Sequence, residues 1–515
     1  MITRDLVGGV NLQERFYFFL EHLADGATNM EQLVLLRSQL FERRLHLSPI
    51  IVSLNYEPHF ARKRKQLIDR GVLDTKTTLL NMYADLQQTS QEMEIPKEWP
   101  FNPLWSYEKV PDSTDLGVLD QDGKPVQYRN YSDDGRLEMV VHYDRQGRII
   151  RSDIYDANGF LSKVQVIQGD HVTCEIFYRT DGKVCMYHFF EQDELAIIQL
   201  VDDDGSIIYQ CDTVAELAAF WLKMMLEEHE TNYCFIDEQD PFAMILDEVG
   251  MKAKRITMVH SPHVDFPNSP IDGSLNDTYL HVFQQLDKSA AVVFDSMEQH
   301  DHVQERFGTL KNQFFIHPAL VDLPERVDFS TRKPYAMLFT APFEPQFNPQ
   351  AAVRIFAQVV QALPDATMYM CGEGSERAAV EQLIDELGLN DKVGIIPQLD
   401  ENVYNHVQMA ISTSIESDTP LSILYNLSYG VPTASYNYFY GPGDMILHKI
   451  SGLLASRNDE QELAALLIER LSNQQSTREM SDHAYGEAVR FHADNTRILW
   501  IQLIQRLREN TWKQF

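Results

Sequence analysis

The sequence predicts an α/β protein: two Rossmann-like units, with an antiparallel β-meander domain inserted into the first. Three features carry this prediction. They are a strand–loop–helix–strand beginning, a ladder of turn glycines through the first half, and a second strand–helix alternation from Pro334. A chain of 515 residues exceeds one ordinary core, and a hydrophobic fraction of 44% with 10% aromatics belongs to a folded, multidomain protein.

In chain order, Arg15 to Leu23 reads as an aromatic-rich strand and Ala24 to Asn29 as a turn cluster. Met30 to Arg44 has helical periodicity, with Leu33, Leu36 and Leu40 on one face, and Pro49 to Leu54 is a second apolar strand. From about residue 113 the texture changes. Gly123, Gly135, Gly147 and Gly159 are spaced by 12, and Gly182 and Gly205 each follow after 23. A repeated unit with one hairpin turn per period is a meander. Tyr131, Tyr143, Tyr155 and Tyr178 lie four residues before their glycines, with Val201 in the last such place. They fit a ladder facing a sugar or peptide, or cross-strand packing; their fixed register with the turn favours packing.

Helical pattern returns at Val214 to Glu228, and strands follow at Tyr233 to Ile236, Ile256 to Val259 and Ala290 to Phe294. The second alternation has strands at 335–340, 366–371, 392–396, 409–414 and 432–436, with helices at 349–363, 376–387 and 421–429 between them. The expected division is 1–100 and 213–332 for the first Rossmann-like domain, 101–212 for the meander, 333–490 for the second, and 491–515 for a C-terminal helix. Ligands of such units bind at the carboxyl ends of the strands.

Forty-four basic against 76 acidic side chains leave a net charge of −32. That excludes a general nucleic-acid binder and broad adhesion to an anionic membrane. Five cysteines without CxxC spacing, and no zinc-type spacing among the 17 histidines, predict no disulfide framework, no metal and no cofactor. The absence of an apolar leader or of an 18-residue apolar run predicts a cytoplasmic protein. The run Arg62 to Lys65 reads as a solvated helix face and Asp202 to Gly205 as a hairpin tip.

Several segments carry a family resemblance. Cys371-Gly-Glu-Gly-Ser-Glu376, between a strand and a helix, resembles the glycine turn of GT-B retaining glycosyltransferases. Glu416 to Pro432 looks like their EGFGLPLLEAMSxGVP segment, and Tyr440 to Ile446 resembles the YGPxDLI segment of a subgroup with a meander insertion. That subgroup includes wall-teichoic-acid α-glycosyltransferases and the two-subunit enzyme that adds N-acetylglucosamine to serine-rich-repeat adhesins. Val259-His-Ser-Pro-His263 resembles its acceptor motif, and Asn29 to Gln32 its first helix start. The resemblance implies a GT-B fold, with His260, His263, Gly372, Glu373, Gly374 and Glu416 as the candidate acceptor and ligand positions.

Transfer from a nucleotide sugar leaves a diphosphate, which needs fixed cations or aimed N–H groups. The family supplies an Arg and a Lys in an RLxPEK segment. Anchored on Glu344, those two places hold Thr340 and Pro345 here. The family's second glutamate falls on Leu424 or on Tyr425, depending on which end of the segment is counted from. With these positions degenerate, the resemblance implies a non-catalytic subunit without catalytic residues of its own. Such a subunit would stabilise a catalytic glycosyltransferase paralogue and hold a Ser/Thr-rich acceptor protein, with peripheral membrane contact only through the complex. Two alternatives stand beside it. One is an active UDP-glucose or UDP-N-acetylglucosamine transferase acting on teichoic acid or protein. The other is an accessory secretion protein of the same fold that binds glycosylated adhesin.

Overall fold

The computed structural model describes residues 14–23, 28–89, 101–226, 231–239, 242–265, 269–415 and 419–509. It contains parallel sheets of seven and six strands and an antiparallel sheet of ten, the α/β architecture with inserted meander that the sequence predicts. Two compact units divide the chain: residues 8–31 with 47–255, and residues 32–46 with 256–515.

In the first of these units, Glu14–Leu20 lies between parallel strands Thr231–Ile236 and Ile50–Ser53, and Thr78–Asn81 follows outside. Both faces of such a central strand are covered, so Phe16 to Leu20 form a continuous buried run without alternation. This is why the segment reads as apolar throughout.

The meander runs in simple sequence order from Ser106–Lys109 to Ile207–Cys211. Its six periodic turn glycines all have φ between 76° and 85°, a conformation that any Cβ would strain. Each of five strand pairs shifts register immediately before Tyr131, Tyr143, Tyr155, Tyr178 or Val201. The four-residue interval is therefore the distance from a β-bulge to its turn glycine, and it explains why the tyrosines keep step. All four tyrosines are half-buried. The other face of the last strands packs Phe177, Met186, Ile198 and Leu200 against Leu217, Trp221 and Leu222 of the helix Val214–Met225. Thr213 caps that helix by accepting the N–H of Glu216 at 3.2 Å.

In the second unit the six-stranded sheet has the order Val393–Ile396, Thr367–Cys371, Ala336–Thr340, Met409–Ser412, Thr433–Tyr436, Leu453–Ala455. Met337, Phe339, Met368, Met370 and Ile411 face the helices Pro349–Ala362 and Glu460–Leu471 across a buried core. Buried Arg332 donates to three backbone carbonyls, of Val407 at 3.0 Å, Gly430 at 2.9 Å and Tyr429 at 2.5 Å. The helix expected over Met30 to Arg44 differs: it is α-helical over Asn29–Leu40 and then widens to a π turn over Phe41–Leu45. The wider turn buries both Phe41 and Leu45 and sends Arg44 to Asp322 at 3.0 Å and to the Val321 carbonyl at 2.8 Å. No helix among the described residues is long and apolar enough to cross a membrane.

Candidate functional site

Strand Ala253–Val259 delivers His260 at its carboxyl end, and the parallel neighbour Ala291–Phe294 delivers Asp295. The two side chains are 2% and 8% exposed, and His260 Nδ1–H donates to Asp295 Oδ2 at 2.5 Å. Thr419 closes the group. Its hydroxyl donates to the same carboxylate oxygen at 2.7 Å, and its N–H donates to the His260 carbonyl at 2.9 Å. Tyr279 Oη accepts the His260 N–H at 3.2 Å. The imidazole is thus held in one tautomer and one orientation by a buried carboxylate, an arrangement suited to positioning a neutral or charged ring.

His263 has a different environment. Its Nε2–H donates to the Pro270 carbonyl at 3.0 Å, and its ring stacks on Phe283 and Tyr440 with centroids 5.4 and 5.7 Å away. Burial pushes its pKa down to about 4, so the ring is neutral near pH 7. Its Nδ1 faces Gln299 Nε2 at 3.5 Å, so both ring nitrogens are engaged in structure, and the ring serves as a packing element beside the Tyr440 segment.

At the carboxyl end of the six-stranded sheet, two loops interlock. Ala341 to Glu344 docks on the glycine turn: Ala341 N–H donates to the Cys371 carbonyl, Phe343 N–H to the Glu373 carbonyl, and Glu376 N–H to the Phe343 carbonyl. A Cβ on Gly372 would lie 2.1 Å from the Ala341 carbonyl oxygen, and one on Gly374 would lie 2.5 Å from both the Phe343 carbonyl oxygen and Glu344 Oε1. These glycines are required by close backbone approach. Glu344 then holds Ser375, with Oε1 accepting the N–H at 2.9 Å and Oε2 the hydroxyl at 2.5 Å. Those bonds lower the Glu344 pKa from its usual value. Glu373 is exposed and pairs with Arg377, which also binds Glu381 at 2.9 Å.

In this register Thr340 is the last residue of its strand and half-buried, while Pro345 opens the 3₁₀ turn Pro345–Phe347 and is exposed. Neither carries a charge, and proline has no N–H to offer. Leu424 and Tyr425 lie on the helix Leu421–Ser428. Leu424 is fully buried with Leu33, Leu427 and Ala484, and Tyr425 packs against two apolar clusters. Burial pushes the Tyr425 hydroxyl up to about 12. Both positions are hydrophobic surroundings in which a carboxylate would be costly. Glu416 lies outside the described residues.

The structure therefore gathers His260 with Asp295 and Thr419, and Thr340, Pro345, Gly372, Glu373 and Gly374 around the Glu344–Ser375 pair. Asp295, Thr419 and Ser375 were not singled out from the sequence. Asp295 had a usable signal, as a polar residue immediately after a wholly apolar strand.

Residues 325–487 match the family model "Glycosyl transferases group 1". The chain is 23% identical over 400 residues to the "UDP-N-acetylglucosamine--peptide N-acetylglucosaminyltransferase GtfA subunit" of Streptococcus gordonii, covering 75% of this chain and 77% of that one. It is 20% identical over 530 residues to the "Poly(glycerol-phosphate) alpha-glucosyltransferase" of Bacillus subtilis, covering 96% and 75% respectively. Its fold superposes on the pneumococcal O-GlcNAc transferase GtfA, solved with UDP and GlcNAc, with a TM-score of 0.81 at 16% identity over 96% of this chain and 99% of that one. The chain thus shares the GT-B fold of these structures, matches the group 1 glycosyltransferase model over residues 325–487, and is similar in sequence to a GtfA subunit and a poly(glycerol-phosphate) glucosyltransferase.

Proposed function

We propose that the chain works within a UDP-sugar-dependent system that glycosylates a protein or a teichoic acid, and that its own part there is to hold partners, not to turn over the sugar donor. The observation that carries this reading is the interlocked pair of loops at Glu344 and Ser375. Glu344, the residue on which the resemblance to the RLxPEK segment is anchored, is fixed there by Ser375, and on that alignment the uncharged Thr340 and Pro345 take the places of the family's Arg and Lys. Two backbone donors at the end of the glycine turn are bonded within the chain, Ser375 N–H to Glu344 and Glu376 N–H to the Phe343 carbonyl, and Arg377 is paired with two glutamates. A diphosphate leaving group, worth about 3–4 kcal/mol per preorganised donor in the transition state, meets little charge there. The word "subunit" in the name of the Streptococcus gordonii relative is consistent with a chain that acts alongside another. The long meander and its half-buried tyrosines would then support an extended acceptor segment by many weak contacts.

A second reading is an active α-glycosyltransferase. It is favoured by the relatives, whose names are those of transferases, and by the ordered His260–Asp295 pair. The test is sugar release from UDP-glucose and UDP-N-acetylglucosamine by this chain alone, by a co-purifying paralogue alone, and by both. The first reading expects no turnover alone and enhanced turnover with the paralogue. Turnover by this chain alone establishes the second.

A further inference from the structure

The ten-stranded sheet ends on Ile207–Cys211, which pairs on one side with Glu194–Val201 and with no further strand among the described residues. Such an edge presents alternate N–H and C=O groups for pairing, and proteins ordinarily blunt it with charge, proline or a cover. Here the strand itself is apolar at the edge. Ile207 and Ile208 are 55% and 57% exposed, and Met224 on the adjoining helix is 58% exposed. Beside them opens a cavity of about 430 Å³, with apolar walls that include Ile208, Phe220 and Met224.

Charge marks the rim. Asp202, Asp203 and Asp204 form the hairpin tip that leads into this strand, and Asp212 follows its other end. Arg179 also lines the cavity; its Nη1 pairs with Asp203 at 2.6 Å and its Nε lies 4.0 Å from Asp181, which leaves the tip acidic on balance. The surface is therefore an apolar strand edge beside an open hollow, acidic at both ends.

We propose that this edge takes an extended segment of a different protein chain, apolar at alternate positions and carrying Lys or Arg at its ends, as an eleventh strand. The charge selects against a second copy of this chain. Antiparallel self-pairing sets each Asp202–Asp204 tip against the other copy's Asp212, and parallel pairing sets tip against tip; like charges repel in both. A basic segment reverses the sign of every one of these contacts, and an apolar side chain can enter the hollow beside Ile208. This surface is independent of the loops around Glu344, so it stands whichever reading of the donor site holds.

The experiment uses the full chain and a fluorescein-labelled nine-residue peptide of alternating valine and threonine with two lysines at each end. Saturable binding is expected by anisotropy, with slowed amide exchange at 207–210. Raising the salt from low to high should weaken it about tenfold, because rim charges are screened beyond about 10 Å at 0.1 M. Ile208→Ser and Asp204→Lys, both at exposed positions, should each weaken binding severalfold while leaving the thermal unfolding midpoint in place. No saturable binding at millimolar peptide overturns the proposal, as does equal binding of a glutamate-flanked peptide or protection at another strand. Self-association by sedimentation that Ile208→Ser abolishes would make the occupant a second copy and also overturn it.

Discussion

Glu344 grips Ser375 with both carboxylate oxygens, one on the backbone N–H at 2.9 Å and one on the hydroxyl at 2.5 Å. Ser375 lies just ahead of the helix Arg377–Glu386, whose N-terminus favours negative charge. A carboxylate of the chain itself therefore sits where an external anion would be drawn. The contact also locks Thr340 and Pro345 in place along the loop that Glu344 anchors.

On the partner-holding reading, adding charge to that loop should add UDP binding without the chemistry. The double variant Thr340→Arg, Pro345→Lys is expected to raise affinity for UDP about tenfold or more by calorimetry, since each charge-assisted contact contributes about 1.5–3 kcal/mol. The same reading expects no sugar release from this variant. Tyr425→Glu should add no turnover and should cost about 2–4 kcal/mol in stability, because it places a carboxylate among apolar side chains. Turnover in any of these variants would contradict the reading.

The glycine turn offers a contrast between two glycines. Gly372→Ala puts a Cβ 2.1 Å from a backbone oxygen, so the interlocked loops must part. A loss of about 2–4 kcal/mol is expected in denaturant unfolding. Gly486, exposed within the helix Gln474–Arg490, has open space around its Cβ position. Gly486→Ala should stabilise by about 0.5–1 kcal/mol.

Two buried groups in the meander unit should oppose one another as pH changes. Asp156 sits in a buried turn whose next residue, Ala157, donates its N–H to the Pro58 carbonyl at 2.9 Å, and desolvation raises its pKa to about 7. Its contribution is full below the unfolded value near 4 and is lost as pH rises through about 7. Buried His188 has its pKa lowered to about 4 by desolvation, so stability rises from about pH 4 to 6.5 as the unfolded imidazole gives up its proton. Asp156→Asn removes the opposing slope. The variant should show a steeper gain between pH 4.5 and 6.5, read from thermal midpoints or from amide exchange of the meander strands. An unchanged profile would count against a raised Asp156.

Thr419 and Asp295 should be energetically coupled through their 2.7 Å hydrogen bond. In a double-mutant cycle with Thr419→Val and Asp295→Asn, a coupling of about 1–2 kcal/mol is expected from unfolding midpoints. Additive effects would mean that the hydroxyl contributes nothing to holding the carboxylate.

What was legible in the sequence was local. The meander could be read because bulge, strand and glycine turn repeat within each short period, so Tyr155 and Gly159 report the same hairpin. The C-terminal strands could be read because parallel strands buried on both faces, such as Ala336–Thr340, are short apolar runs between turns. Very short strands such as Gln313–Phe315 exist only through their pairing partner and leave no pattern of their own.

The sequence by itself determined the α/β class, the inserted meander and the acidity of the chain. Residue types and short periods are sufficient for each of these. Only the tertiary structure decided that Asp295 and Thr419 orient His260, that His263 packs on Tyr440, and that Glu344 occupies the turn at Ser375. Those contacts join residues from 31 to 177 positions apart, brought together by parallel strands that end side by side. Hydrogen bonds of that kind depend on the carboxyl-end loops meeting in space, and no local pattern encodes where a loop will land.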